Sequence, residues 1–164
     1  MDGFIVVGNT NSVTYKEVFP LIKSGRLRLG YNMIKIFNTE EGTKDFGNIT
    51  WFSTYPVVKK PLVLSKSYTP EEYPTYDNYP AINVDRVKDI PFDYYGTMGV
   101  PITILNYDLE NVEVVGLAAD KRDGYEGFVK GIPTYVDNKH KKFVGMVLNG
   151  KPTYTRILIK KNLK

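Results

Sequence analysis

Asn149-Gly150 stands between two apolar runs, 143–148 and 153–159, and constrains its surroundings more tightly than any other dipeptide in the chain. Asn and Gly tolerate the positive φ angles of a type I′ turn, whose twist matches that of the strands it joins. A C-terminal β-hairpin is therefore predicted. Similar short runs recur upstream. Ile49-Thr50-Trp51-Phe52-Ser53-Thr54 has the β-branched and aromatic make-up of a strand. Residues 26–30 alternate like a strand start, 62–64 and 82–84 are shorter candidates, and 100–105 and 112–117 read as consecutive strands around a turn at 106–111. A loop rich in Asn, Glu and Gly is expected over 38–48. Phe4-Ile5-Val6-Val7, closed by Gly8-Asn9, is continuously apolar and predicts a strand buried on both faces, as in a parallel sheet.

One clear helix is expected. Thr14-Tyr15-Lys16-Glu17 matches a capping box, Val18, Phe19, Leu21 and Ile22 supply the apolar stripe, and Gly25 is a natural stop. Pro20 would interrupt the helical ladder, so a kink or two short turns is predicted. Thr69-Pro70-Glu71-Glu72 supports about one helical turn before Pro74. Only the first strand–helix unit looks like a doubly wound protein. The fold class is a strand-rich mixed sheet with few helices, α/β to α+β, in a single domain over 1–164.

At 164 residues one domain is the default, with a core that needs no disulfide or metal staple. The chain has no cysteine, which excludes thiolate zinc sites and a cysteine nucleophile and fits a reducing cytoplasm. No secretory signal is visible at the start, and no apolar stretch approaches the ~18 residues of a membrane span. The net charge of +4 is unevenly spread. Residues 120–164 carry 11 basic and 4 acidic side chains, a net of +7, whereas 68–113 hold nine acids against Arg86 and Lys88. A basic C-terminal quarter suits a polyanion such as DNA, with Lys139, Lys141 and Lys142 as the contact candidates. A solvated lysine-rich surface explains the same residues.

Thirteen tyrosines are present, and Tyr68, Tyr73, Tyr76 and Tyr79 fall in twelve residues interleaved with Pro70, Pro74 and Pro80. Structural anchoring is favoured over base stacking, because this stretch is acidic and phosphate would avoid it. His140, the only histidine, sits among lysines and has no sequence-near acid, so it reads as a surface residue rather than a general base. Glu71, Glu72, Asp77, Asp85 and Asp89 are spaced as loop punctuation and caps rather than as magnesium ligands. Neither the phosphate-loop nor the dinucleotide fingerprint is met at Gly8-Asn9-Thr10-Asn11-Ser12. No Gly-x-Ser-x-Gly elbow occurs either, so hydrolase chemistry and metal-dependent chemistry lack a motif.

The run from Val6 to Ile22, Val-Val-Gly-Asn-Thr-Asn-Ser-Val-Thr-Tyr-Lys-Glu-Val-Phe-Pro-Leu-Ile, resembles the EcoRI-type family of adenine-specific DNA methyltransferases. So do Leu29-Gly30-Tyr31, Gly47-Asn48-Ile49-Thr50-Trp51-Phe52, the stretch from Tyr68 to Tyr79, Asp89-Ile90-Pro91, Met98-Gly99-Val100-Pro101-Ile102-Thr103, and Tyr154-Thr155-Arg156-Ile157-Leu158-Ile159-Lys160. The resemblance is to the C-terminal portion of that family. It implies the late part of a Rossmann-like methyltransferase fold, in enzymes of restriction–modification systems that methylate the amine of a flipped-out adenine with S-adenosylmethionine.

The family's two working motifs are a Gly-containing cofactor motif and an Asn/Asp-Pro-Pro-aromatic loop, and neither occurs here. Asp77-Asn78-Tyr79-Pro80 has similar letters in the wrong order. The chain is thus expected to begin after both motifs, to carry no catalytic residue, and to bind no S-adenosylmethionine alone. Gly8, Asn9 and Asn11 match the family pattern and would line the pocket of a complete enzyme, although a structural turn explains Gly8 and Asn9 equally well. The expected role is DNA engagement within a methyltransferase, by a fragment cut from it or a truncated gene product. The alternative is a non-enzymatic module that binds nucleic acid or forms a homo-oligomer through an exposed sheet edge. No membrane partner is expected.

Overall fold

A polar segment adopts extended structure when a neighbouring strand supplies its hydrogen bonds, and the first sixty residues are built on that rule. In the computed structural model β1 (Ile5–Asn9), the helix α1 (Phe19–Lys23), β2 (Arg28–Leu29), β3 (Ile34–Thr39) and β4 (Gly42–Ser53) lie in a first compact unit, Met1–Lys60; a second spans Pro61–Lys164. The residues described are 2–32, 34–118, 125–133, 135–139, 141–143 and 145–163. The strand β4 is the hub of an antiparallel sheet. Its one side carries β1, from Ile5 opposite Ser53 to Asn9 opposite Ile49. Its other side carries β2 and the long β3 hairpin.

Four expectations for this unit change. The segment 38–48 is the β3–β4 hairpin rather than a loop; its side chains are exposed on both faces, so no apolar alternation marks it in the sequence. Phe37 and Phe46 meet edge to face at 5.3 Å on this hairpin. The apolar β1 is antiparallel to β4 and exposed, not a doubly buried strand of a parallel sheet. The helix is five residues long, and Pro20 lies in its first turn, where the missing amide has no helical partner to lose. The capping box does not form: the Thr14 hydroxyl donates to the Asn11 carbonyl (2.8 Å) within a 3-10 turn, and Val18 precedes the helix without a side-chain cap. Gly25, at φ 74°, ends the helix as predicted.

The second unit contains β5 (Ile82–Asn83), β6 (Met98–Pro101), β7 (Val112–Ala118), β8 (Tyr135–Val136), β9 (Lys142–Phe143), β10 (Val147–Leu148), β11 (Lys151–Pro152) and β12 (Arg156–Lys161). A mixed sheet runs β5-β6-β12-β7, with β5 parallel to β6 and the other pairs antiparallel. Strand-rich mixed architecture with few helices is therefore the observed class. Ile157, Leu158 and Ile159 are fully buried, so both faces of β12 are covered. Burial of each of these three stabilises the unit by about 1.5–3 kcal/mol. Leu158 joins Tyr76, Ala81, Ala118, Val129, Ile132 and Met146 in one core cluster.

The Asn149-Gly150 turn forms, with φ of 49° and 73°, the two positive angles a type I′ turn requires. Its arms are only β10 and β11, because β12 turns away into the larger sheet and β9 pairs with β8. The predicted strand at 100–105 is displaced: β6 ends at Pro101 and a 3-10 turn occupies Ile102–Asn106. Furthermore, β6 and β7 are separated by β12 rather than adjacent. No strand forms at 62–64. Among the described residues no helix is long and apolar enough to cross a membrane.

Anchoring explains the tyrosine cluster. Tyr73 and Tyr76 are buried, and the Tyr73 hydroxyl donates to the Asp89 carbonyl (2.6 Å). The Tyr76 hydroxyl lies 2.8 Å from Asn83 Oδ1 and 3.2 Å from the Gly99 carbonyl. Burial pushes the Tyr76 hydroxyl up to about 12, so it remains a donor. Gly99 has to be glycine here, since an added Cβ would come within 2.7 Å of Tyr76 Cε2. Gly99→Ala is expected to lower stability by about 1–3 kcal/mol through overpacking. Urea unfolding followed by circular dichroism checks this; an unchanged midpoint would show that the ring can move aside.

Candidate nucleic-acid interface

Two turns carry the residues singled out by sequence, and they belong to different compact units. In the first unit, Gly8 and Asn9 end β1 and Asn11 lies in the following 3-10 turn, Thr10–Thr14. Asn9 Oδ1 accepts from the Asn11 amide (2.8 Å), and the Asn9 carbonyl accepts from the Ser12 hydroxyl (2.5 Å). Gly8 is opposite Thr50, and a Cβ on it would meet the Phe52 ring at 3.1 Å. Close packing thus accounts for Gly8, and turn closure for Asn9. Sequence reading missed Thr10 and Thr50, whose hydroxyls are buried here and have no hydrogen-bond partner among the described residues. Only the fold could reveal them, because burial of a threonine leaves no local pattern.

The chemistry of this donor set does not by itself fit S-adenosylmethionine. The Asn9 acceptors are already taken up in the turn, leaving glycine, an exposed amide and two threonine hydroxyls. None of these is a carboxylate able to hold ribose hydroxyls.

In the second unit, β8 and β9 pair as Tyr135 with Phe143 and Val136 with Lys142. The loop between them is drawn together by Asp137: its Oδ1 accepts from the Lys139 amide (2.9 Å) and the Lys141 amide (2.8 Å), and its own amide donates to the Lys141 carbonyl (3.1 Å). Lys139 and Lys141 are exposed, and Lys142 follows on β9. Lys139 and Lys141 in the loop and Lys142 on β9 therefore belong to one short hairpin. His140 lies outside the described residues.

Asp77-Asn78, whose letters mimic a catalytic loop, has a different task. Asp77 accepts from the amides of Asn149 (3.1 Å) and Gly150 (2.7 Å), holding the turn. Asn78 Nδ2 donates to the Gly145 carbonyl (2.7 Å), and its Oδ1 accepts from the Val147 amide (3.0 Å). Both side chains are structural clamps for the C-terminal hairpin.

A polar cleft of about 240 Å³ is lined by Lys66, Glu72, Tyr73, Asn83, Asp85 and Asp89. Two of its acids, Asp85 and Asp89, are paired. Asp89 binds Arg86 Nε (2.7 Å) and Lys66 Nζ (3.2 Å), and Asp85 accepts from Asn83 Nδ2 (2.8 Å) and lies 3.5 Å from the buried Arg156. The hydrogen bond from Arg86, aided by Lys66, holds the Asp89 carboxyl below the usual carboxylate range. Asp93 is lowered too, by the Ser67 hydroxyl and the Tyr68 amide. Among the described residues no group of three metal-binding side chains occurs.

Residues 2–162 match the family described as adenine-specific methyltransferase EcoRI. Among curated proteins the chain is 37% identical over 181 aligned residues to the type II methyltransferase M.EcoRI of Escherichia coli, covering 96% of this chain and 49% of that protein. It is 29% identical to the type II methyltransferase M.MpnI of Mycoplasma pneumoniae and 30% identical to M.MgeORF184P of Mycoplasma genitalium, covering 96% of this chain and 56% of each. The chain thus spans about half the length of these relatives. No solved structure matches it significantly.

Two predictions come from the clamps and the cleft. Asn78→Ala leaves the Val147 amide and the Gly145 carbonyl without their partner in a buried setting, and is expected to cost about 1–3 kcal/mol in urea unfolding. Asp89 and Asp93, both held below the unfolded value of ~3.9, contribute stability above that pH and lose it as pH falls through their folded values. Asp89→Asn should therefore flatten the acid side of a stability–pH curve. A slope equal to wild type below pH 4 would remove Asp89 from that role.

Proposed function

The chain belongs to the adenine-specific methyltransferase EcoRI family, and from that premise we propose that it is the C-terminal part of an adenine-specific DNA methyltransferase, contributing DNA contacts and catalysing no methyl transfer by itself. The observation that carries this reading is the family match over 2–162 at only about half the relatives' length, in a sequence without an Asn/Asp-Pro-Pro-aromatic loop. In the whole enzyme S-adenosylmethionine supplies the methyl group for the adenine amine. Nothing in this chain is assigned to that transfer, since the residues that resemble the loop clamp a hairpin instead.

The DNA contacts are assigned to Lys139, Lys141 and Lys142. The Asp137 clamp holds their backbone in one arrangement before DNA arrives, which reduces the ordering cost of binding. Phosphate contacts of this kind position a protein on the duplex without reading its sequence. Gly8, Asn9 and Asn11 would form part of a pocket wall in the complete enzyme, beside the buried hydroxyls of Thr10 and Thr50.

Two measurements test the reading. Fluorescence anisotropy with duplex DNA should show binding that weakens steeply with salt. Replacing all three lysines by glutamate should weaken it and reduce the salt slope by about one for each phosphate no longer neutralised. An unchanged affinity would exclude this hairpin from the DNA interface. Incubation with labelled S-adenosylmethionine and duplex DNA should give background labelling; robust transfer by the 164-residue chain alone would overturn the assignment.

A further inference from the structure

In β1 an apolar sequence and exposed surroundings are at odds. Phe4-Ile5-Val6-Val7 is the composition of a strand covered on both faces, yet these side chains are 47, 59, 47 and 42% exposed. Successive residues of a strand point to opposite faces, so Phe4 and Val6 leave one face in water and Ile5 and Val7 the other. The edge is open as well. The Phe4 carbonyl accepts from the Thr54 amide, and Val6 and Gly8 stand opposite Phe52 and Thr50. Alternation along an antiparallel ladder then turns the backbone amides and carbonyls of Ile5 and Val7 away from β4. Among the described residues no strand occupies that side.

A strand with one free edge and two apolar faces left half exposed is completed by a neighbouring strand and further cover on each side. A second copy joined edge to edge would complete the ladder and leave both faces in water. The relatives, in contrast, carry about as much chain again as the part matched here. We propose that β1 is the docking strand for a polypeptide equivalent to the half of those relatives that this chain does not span, which adds a strand at the free edge and covers Phe4, Ile5, Val6 and Val7. The proposal rests on the family reading, but its test reads assembly rather than DNA binding or methyl transfer, so the two can fail separately.

The test mixes the 164-residue chain with the separately expressed N-terminal half of the Escherichia coli relative; that relative's own matched half serves as positive control and competitor. A one-to-one complex by sedimentation velocity is expected, with a blue shift of Trp51, which stands opposite Val7, and displacement by the competitor. Val7→Pro, which removes a free-edge amide, and Ile5→Lys, which charges one face without altering the backbone, should each weaken binding at least tenfold. Val63→Lys, at a site 72% exposed in the other unit, should not. Should Val7→Pro unfold the chain by circular dichroism, Ile5→Lys carries the test. The proposal is overturned if the relative's own halves associate while this chain does not, if the β1 variants bind as tightly as wild type, or if a homodimer sensitive to those variants forms instead.

Discussion

The architecture of the second unit depends on β12, a strand covered on both faces and hydrogen-bonded on both edges. Burying Ile157, Leu158 and Ile159 in succession removes every solvent-facing side from that stretch of backbone, so its amides and carbonyls must be satisfied by β6 and β7. This requirement places two strands from distant parts of the chain on either side of the C-terminus. It also separates β6 from β7 and confines the Asn149-Gly150 hairpin to two short arms. Leu158 pairs with Gly116 and Ile159 with Val114, so β7 carries one extra residue, Val115, in a bulge that locally increases its twist.

The first unit presents the opposite case. Its β1 has an equally apolar composition but only one hydrogen-bonded edge and faces that stay about half exposed. Two segments that look alike as strings of side chains thus differ sharply in burial. For a strand, the hydrophobic effect acts through whatever polypeptide lies against it, and that is not encoded within the strand itself. The contrast is the physical ground for reading β1 as an interface.

Polar clamps distinguish this protein's structural residues from its candidate functional ones. Asp77 and Asn78 direct their oxygens and amide into the backbone of 145–150, and Asp89 is enclosed by Arg86 and Lys66. Groups satisfied in this way have little capacity left for a ligand. Lys139 and Lys141 have their backbone amides fixed by Asp137 while their side chains project into solvent. That division, backbone held and charge exposed, supports a contact with phosphate. Membership of the methyltransferase family supplies the context.

By itself the sequence determined the class of structure, the type I′ turn, the anchoring role of Tyr73 and Tyr76 and the family, because each rests on local backbone preference, composition or an ordered set of motifs. It singled out Lys139, Lys141 and Lys142 through charge alone, and only the fold placed them on one hairpin. Tertiary structure decided what no local pattern carries. It made 38–48 a polar hairpin, since β4 supplies the ladder. It dissolved the capping box, since Thr14 is drawn into a 3-10 turn and the helix starts only at Phe19. It buried the unpaired hydroxyls of Thr10 and Thr50 at the end of β1. It also left β1 half exposed with one free edge. In each case the deciding quantity is the partner that long-range packing brings to a group, and one chain segment read in isolation contains no record of that partner.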